Sequence, residues 1–420
     1  MTTTTTREHD TIDLSAKAFW TTTATDREHA YAELRAKRPI SWQRPVEDAW
    51  YPEPDDPGYW AILRRDDIID VSRRNDVFVS RYGVNFETLP PHMVRASQSI
   101  LGMDPPDHTQ IRRLVSAAFT PRQVRRIQEQ IEANAREIVD GIVGKGEVEF
   151  VSECAALLPM ITVCDMIGVP EADRLPVARA AEVITGWNDP DTRDGRPLLE
   201  ALPEAGRYLT KIGRTLAAQR REDPRDDLMT ALVQAEVNGE RLPDSEISSF
   251  FTLLCIAGTD TTRQTTSHVV KALTDFPEQR AWLLEDFDGR IGTAIEEFIR
   301  WASPVMTFRR TAVTDTVVGG QEIKAGEKVV MFYPSGNWDE TAFDHPERFD
   351  LSRSPNHHLG FGGGGAHYCL GAQVAKAQLR ALFRALLHHA PDFEAGQPEY
   401  LAGNLIHGIK RMPVKFTAKR

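Results

Sequence analysis

Only four cysteines occur in 420 residues, at positions 154, 164, 255 and 369. None forms a Cys-x-x-Cys pair, and no His-Glu-x-x-His or zinc-ribbon spacing is present, which leaves no basis for a structural zinc site. Cys154, Cys164 and Cys255 lie in apolar helical pattern and read as buried reduced thiols. Long apolar runs are missing as well: 154–164 is interrupted by Pro159, and 250–258 is followed at once by Thr259 and Asp260. A bilayer span needs roughly 20 apolar residues, and the threonine-rich start lacks the basic-then-apolar order of a signal peptide. The expectation is a soluble, cytoplasmic protein without a membrane partner. Basic charge is in deficit, 50 Lys and Arg against 61 Asp and Glu, for a net charge of −11, which argues against nucleic acid as a partner. No Gly/Ser linker or low-complexity stretch divides the chain beyond its start. Residues 1–15 are expected to be a disordered tail and 16–420 a single domain.

What is present is helical periodicity punctuated by proline. Apolar spacing predicts helices over 26–38, 66–75, 107–118, 121–143, 152–167, 171–186, 200–221, 225–237, 244–275, 277–286, 290–302 and 371–389. Strands are predicted only at 59–63, 316–318, 328–332 and 413–416, giving a mainly α protein with a small β-sheet region. The helix over 244–275 would be about 48 Å long, the width of a domain. Its apolar first half should cross the core. Gly258, Thr259, Asp260, Thr261 and Thr262 then follow, poor helix formers in a buried place, and predict a local bulge where hydroxyls compete for carbonyls. Local rules are broken in this way mostly at functional sites.

The second unusual stretch runs from His358 to Gly371, with four consecutive glycines at 362–365, then His367 and Cys369. Glycines let a backbone pass close to something flat or bulky. No Gly-Lys-Ser/Thr follows, so this is no phosphate loop. Cys369 precedes a helix start, where unpaired N–H groups favour a thiolate. A nucleophile, a redox thiol and an axial metal ligand all remain open on these grounds.

The stretch resembles the haem-binding loop of the cytochrome P450 superfamily, Phe-Gly-x-Gly-x-His-x-Cys-x-Gly. One extra glycine sets Phe361 further from Cys369 than usual. Three more segments match the family in order and spacing. Ala257-Gly258-Thr259-Asp260-Thr261-Thr262 resembles its oxygen-activating segment, Asp107-His108 through Arg112 its propionate-binding helix, and Glu297-x-x-Arg300 with Arg348 its structural triad. The likeness covers about residue 20 to the C-terminus and implies a fold with a long central helix over haem b. It implies Cys369 as the iron ligand, with Phe361 and Gly371 beside the cofactor and His108, Arg112, Arg310 and His367 on the propionates. It implies Asp260 and Thr261 as the proton-delivering pair. Periodicity by itself places Glu297 and Arg300 opposite the apolar face of Ile291, Ile295, Phe298 and Ala302, as a solvated ion pair.

The resemblance further implies a monooxygenase that uses O2 and two external electrons from a ferredoxin and its NAD(P)H-dependent reductase. Neither a dinucleotide fingerprint nor a ferredoxin-like cysteine cluster is found in the chain itself. The donor is expected on a basic patch of Arg122, Arg125, Arg126, Lys376 and Arg380. Phe86, Leu89, Leu254, Ala257, Val305, Phe308, Leu405 and Ile406 are expected to line an apolar substrate pocket. The likeness is to the actinobacterial branch acting on methyl-branched lipids, terpenoids and sterol side chains. Trp338 departs from it, because many relatives have arginine after Asn337. A peroxide-using peroxygenase and a non-catalytic haem-based sensor are the rival readings.

Overall fold

The computed structural model describes residues 7–416 apart from 52, 97, 98 and 238. The elements used below are α1 (Ala24–Lys37), β1 (Ile40–Gln43), β2 (Tyr59–Ile62), α2 (Arg65–Arg73), β3 (Phe78–Val79), α3 (Asp107–Ser116), α4 (Pro121–Asp140), β4 (Glu147–Glu149), α5 (Leu157–Ile167), α6 (Glu171–Thr185), α7 (Leu198–Glu222), α8 (Asp244–Asp275), α9 (Phe287–Ala302), β5 (Thr307–Ala312), β6 (Lys328–Phe332), α10 (Ala372–His389), β7 (Glu394–Ala395), β8 (Glu399–Tyr400), β9 (Ile409–Arg411) and β10 (Pro413–Lys415). Chain contacts group them into two compact units that interleave in sequence.

The first unit comprises Met1–His108, Val305–Glu347 and His358–Tyr368. It is built on a sheet of order β1-β2-β6-β5-β3. β6 pairs in parallel with β2 and antiparallel with β5, with Val330 opposite Arg309. One core, of Trp42, Trp60, Ile68, Phe78 and Met331, packs with α2. Another holds Leu14, Trp20, Tyr31, Tyr59, Phe86 and Phe332. The expected tail is not one from Arg7 onward. Arg7 lies over the rings of Trp42 and Trp60 and pairs with Glu327, Asp10 N donates to Trp42 O, and Leu14 is fully buried. Residues 1–6 lie outside the described residues.

The second unit is helical. α8 runs unbroken for 32 residues, matching the expected bounds, and packs against α5, α6, α7 and α9. Two glycines permit this: a Cβ on Gly258 would sit 2.6 Å from Val163 of α5, and one on Gly213 of α7 3.0 Å from Phe251. The expected bulge at 258–262 is absent. Thr259, Thr261 and Thr265 instead donate to carbonyls four residues back, at 2.7, 2.9 and 2.9 Å, alongside the helix bonds rather than in place of them. A small sheet of order β7-β10-β4 and the hairpin β8–β9 complete the unit. Predicted helix ends differ by a few residues. The helix predicted over 225–237 spans only Leu228–Gln234, because Glu236–Val237 pairs with Glu240–Arg241. The helix predicted from 152 begins with a π turn, Val151–Ala155.

Candidate functional site

The residues singled out above fall in both units. In the first, the glycine-rich loop is shaped by α2. A Cβ on Gly363 would lie 2.5 Å from Ser72 Oγ, and one on Gly365 2.3 Å from Ser72 O. Gly362, Gly364 and Gly365 have φ of +94°, +90° and +73°, the left-handed region that favours glycine. Helix packing and backbone conformation therefore account for these glycines. The same loop presents His367, whose ring centroid is 4.4 Å from that of buried His108. Ser80 Oγ lies 3.2 Å from His367 Nε2. Phe361 sits between the rings of His358 and Tyr368.

Arg310 on β5 is 4% exposed. Among the described residues its hydrogen bond is from Nη1 to Arg309 O, 2.7 Å, and no carboxylate pairs with it. Burial lowers its pKa, opposed by Tyr333 and Asp104. A buried guanidinium without a counter-charge is costly unless an anion completes it. Its neighbour Arg309, equally buried, is by contrast wrapped by the loop before α3: Nη1 reaches Thr88 Oγ1 at 3.1 Å, and Nη2 bonds Tyr82 O.

Of the pocket residues expected here, Phe86 is a core residue, packed edge-on to Tyr59, Trp20 and Phe332 with ring centroids 5.0–6.0 Å away. That is a correction, since its ring is spent on the aromatic core. Leu89 is half-buried. Val305 and Phe308 are half-buried against the sheet core.

In the second unit, Cys369 is half-buried, whereas Cys154, Cys164 and Cys255 are buried. Gly371 closes the turn ahead of α10. Burial pushes the Cys369 thiol up; the N–H groups of Gly371 and Ala372 and the charge of Arg112 pull it down, with a net rise. Burial likewise lowers the pKa of Arg112, opposed by Cys369. The other three thiols are raised by burial, Cys164 to about 12, and have no such pair of helix-start donors.

On α8, Ala257 is exposed and Leu253, Leu254, Gly258 and Thr261 are partly so, whereas Phe250, Phe251, Cys255 and Asp260 are buried. Thr261 Oγ1 donates to Ala257 O. Asp260 is buried and ion-paired with Arg263 one turn on; Arg263 also reaches Glu182 of α6 at 3.0 Å, and Glu182 pairs with Arg179 at 2.7 Å. Burial opposes the charge on Arg263, but the carboxylates of Asp260 and Glu182 outweigh it. The i,i+3 spacing of Asp260 and Arg263 was legible in the sequence; Glu182, 78 positions before Asp260, was not.

The pair Glu297–Arg300 is fully buried, contrary to the helix wheel. Arg300 Nε and Nη2 grip the two carboxylate oxygens at 2.8 Å each. Glu297 also accepts from Arg353 Nε at 3.2 Å, Asn356 Nδ2 at 2.9 Å and Asp350 N at 3.0 Å. Arg353 is thus an arginine on Glu297 that the motif reading did not name. Exposed Arg348 contributes its carbonyl, which accepts from Arg300 Nη2 at 3.1 Å. Nothing in local periodicity marks Arg353. Leu405 is half-buried and Ile406 buried, in the loop between β8 and β9.

Each unit thus carries its own unusual group: the helical unit a thiol at a helix start, and the sheet unit a buried guanidinium with no directly paired carboxylate among the described residues. Residues 201–390 match the sequence profile of Cytochrome P450. The chain is 40% identical over 411 residues to a methyl-branched lipid omega-hydroxylase of Mycobacterium tuberculosis, covering 97% of this chain and 95% of that protein. It is 38% identical over 394 residues to a steroid C26-monooxygenase of Rhodococcus jostii, covering 92% and 81%. The structure of Mycobacterium marinum cytochrome P450 CYP268A2 in complex with pseudoionone aligns with a TM-score of 0.96 at 59% identity, covering 98% of this chain and all of that one. The chain belongs to the cytochrome P450 family.

It is a haem-thiolate monooxygenase, an oxidoreductase that hydroxylates an apolar substrate with O2 and electrons from redox partners. Its cofactor is haem b, and the Cys369 thiol with the helix-start N–H donors and Arg112 charge acting on it fits that group. Among the described residues no single helix is long and apolar enough to cross a membrane. The one bent pair that passes by composition, Val151–Ile167 with Glu171–Thr185, contributes much of its apolar surface to the core.

Proposed function

We propose that this enzyme hydroxylates the terminal carbon of a methyl-branched apolar chain, in a lipid, terpenoid or sterol side chain, with a ferredoxin and its NAD(P)H-dependent reductase as electron source. The observation that carries the apolar substrate is the accessible stripe Leu253, Leu254 and Ala257 on α8, which ends at Thr261. The relatives that hydroxylate methyl-branched lipids and steroid C26 support the same class. A cytoplasmic location agrees with electron supply from a diffusible donor.

In this reading Cys369 would hold the haem iron, Phe361 and Gly371 would contact the haem, and His108, Arg112, Arg310 and His367 would hold its carboxylates. When bound, the haem activates dioxygen, and a thiolate ligand favours cleavage of the O–O bond. The protein's part is to deliver protons and exclude bulk water. Asp260 is tied to Arg263, so its carboxylate must leave that partner to carry a proton inward. Thr261 can turn its hydroxyl from Ala257 O toward the oxygen. Leu254, Ala257, Val305, Phe308, Leu405 and Ile406, with Leu89, present apolar surface to the substrate.

The test is the spectrum of the reduced protein under carbon monoxide, followed by turnover with a surrogate ferredoxin system. A strongly red-shifted Soret band that Cys369→Ala abolishes is expected, with NADPH use rising on addition of a branched-chain substrate. A Soret band unaffected by Cys369→Ala would sink the ligand assignment. Hydroxylation driven only by added peroxide would favour a peroxygenase, and ligand binding without turnover a sensor.

A further inference from the structure

The loop 401–408 carries Leu405 and Ile406 and is held at two ends by different chemistry. Its inner end is fixed by neutral hydrogen bonds. Gln264 of α8, one turn beyond Thr261 and 1% exposed, accepts from Ile409 N at 2.7 Å. His407 N donates to Pro304 O at 2.9 Å, and its Nδ1 lies 2.8 Å from Ala302 O at the end of α9. The rings of His268 and His407 are 4.0 Å apart.

The outer end is fixed by charge. Lys410 Nζ lies 3.1 Å from Asp189, 2.9 Å from Asp191 and 3.1 Å from Glu399. Asp189 and Asp191 belong to the connection between α6 and α7, whereas Glu399 belongs to the hairpin. Asp189, 5% exposed, also accepts from Ala402 N at 3.2 Å. Arg411 adds a bond to Glu399 at 2.8 Å. Gly403 lies against Asn188, 3.3 Å from where its Cβ would be to Oδ1. Lys410, seconded by Arg411 at 3.7 Å from Asp191, therefore joins two segments more than 200 residues apart in sequence.

A buried neutral anchor is hard to release, because its donors and acceptors would be left unpaired. A partly exposed ionic clasp can exchange its partners for water at little cost. We propose that Lys410 is a positioning residue, a releasable clasp that holds the α6–α7 connection against the substrate loop and opens to admit the substrate, while Gln264 keeps the inner end of that loop in register with Thr261. This rests on the substrate reading above.

The experiment uses the holoenzyme with Lys410→Met and Lys410→Arg, and two readouts. The first is hydrogen–deuterium exchange over 186–195 and 399–411. The expected result is faster exchange in both segments together in Lys410→Met and near wild-type exchange in Lys410→Arg. The second is the rate of the Soret shift on rapid mixing with pseudoionone. Association and dissociation are both expected to rise by about fivefold or more in Lys410→Met, since three carboxylates lose their shared ammonium, with little change in Kd. Added salt should speed the wild type and leave Lys410→Met nearly unaffected. Unchanged exchange over 186–195, or unchanged rates with the wild-type salt dependence, overturns the clasp. A wild-type holoenzyme that gives no Soret shift with pseudoionone speaks against the substrate reading instead, and exchange then decides the clasp alone.

Discussion

Thr261 and Asp260 are adjacent in sequence but are held differently. Thr261 is accessible and spends its hydroxyl on Ala257 O, whereas Asp260 is buried against Arg263. Their loss is therefore expected to read out differently. Thr261→Ala should keep oxygen consumption while coupling to product falls by about tenfold or more, the electrons appearing as hydrogen peroxide. Asp260→Asn should keep coupling closer to wild type and slow kcat. Oxygen and peroxide electrodes run beside product analysis decide this, and unaltered coupling in Thr261→Ala removes its role. Arg310 offers a test of opposite signs. Arg310→Leu removes a buried charge that no carboxylate among the described residues pairs with directly, so the haem-free protein should melt higher. The same change should weaken haem retention by about tenfold or more, measured by haem transfer to apomyoglobin.

Among the elements, α8 depends on close approach rather than on helix propensity. Gly258→Ala would drive a methyl into Val163 of α5, with an expected cost of about 1–3 kcal/mol in chemical denaturation. A loss below 0.5 kcal/mol would show that α5 gives way, on the order expected of a surface change. α1 is fixed by charge instead. Arg35 pairs with Glu28 and with Glu340, at 2.7 Å for the latter. Burial raises the Glu28 carboxyl to about 7, outweighing the opposing pull of Arg35. A raised folded-state pKa means that the folded protein binds this proton more tightly than the unfolded chain. Its contribution is therefore fully present below about 4.5, the ordinary carboxyl value, and is lost as pH rises through about 7. Glu28→Gln should flatten the fall in melting temperature between these values, and an unchanged slope refutes the assignment.

For the whole molecule, a net charge of −11 must be reconciled with the basic patch expected to dock the proposed ferredoxin. Of the expected basic patch on α4 and α10, Arg126 is paired with Asp226 at 3.0 Å and Lys376 with Glu296 at 2.5 Å. Arg122 and Arg125 are exposed and, among the described residues, carry no ion pair. Reversing both to Glu should raise the donor's apparent Kd by about tenfold at low salt, with the difference shrinking as ionic strength rises. Reversing Arg126 should do less. Equal effects at all three positions would show that local pairing does not set the docking charge.

Much of this protein could be read from the residues in a row. Proline and apolar period located α8 to the residue, because both signals are local to the helix they delimit. The stretch 358–371 stood out because its Cys, His and Gly residues fall close together, and its reading as a haem loop came from the family resemblance. Strand β5 was not, since Arg309 and Arg310 interrupt any apolar pattern and are buried only because other parts of the fold surround them. The helix wheel placed Glu297 in solvent for a related reason. A carboxylate is tolerated at 0% exposure only when Arg300, Arg353, Asn356 and the backbone of Asp350 converge on it, and the segment 350–356 is distant in sequence. Likewise Phe86 was expected at the substrate, but the aromatic core claims it. Local order along the chain was enough for the helical frame and, through the family resemblance, for the cofactor. Which charges pair, which glycines serve packing and how the loop 401–408 is held depend on groups that the chain brings together only when it folds.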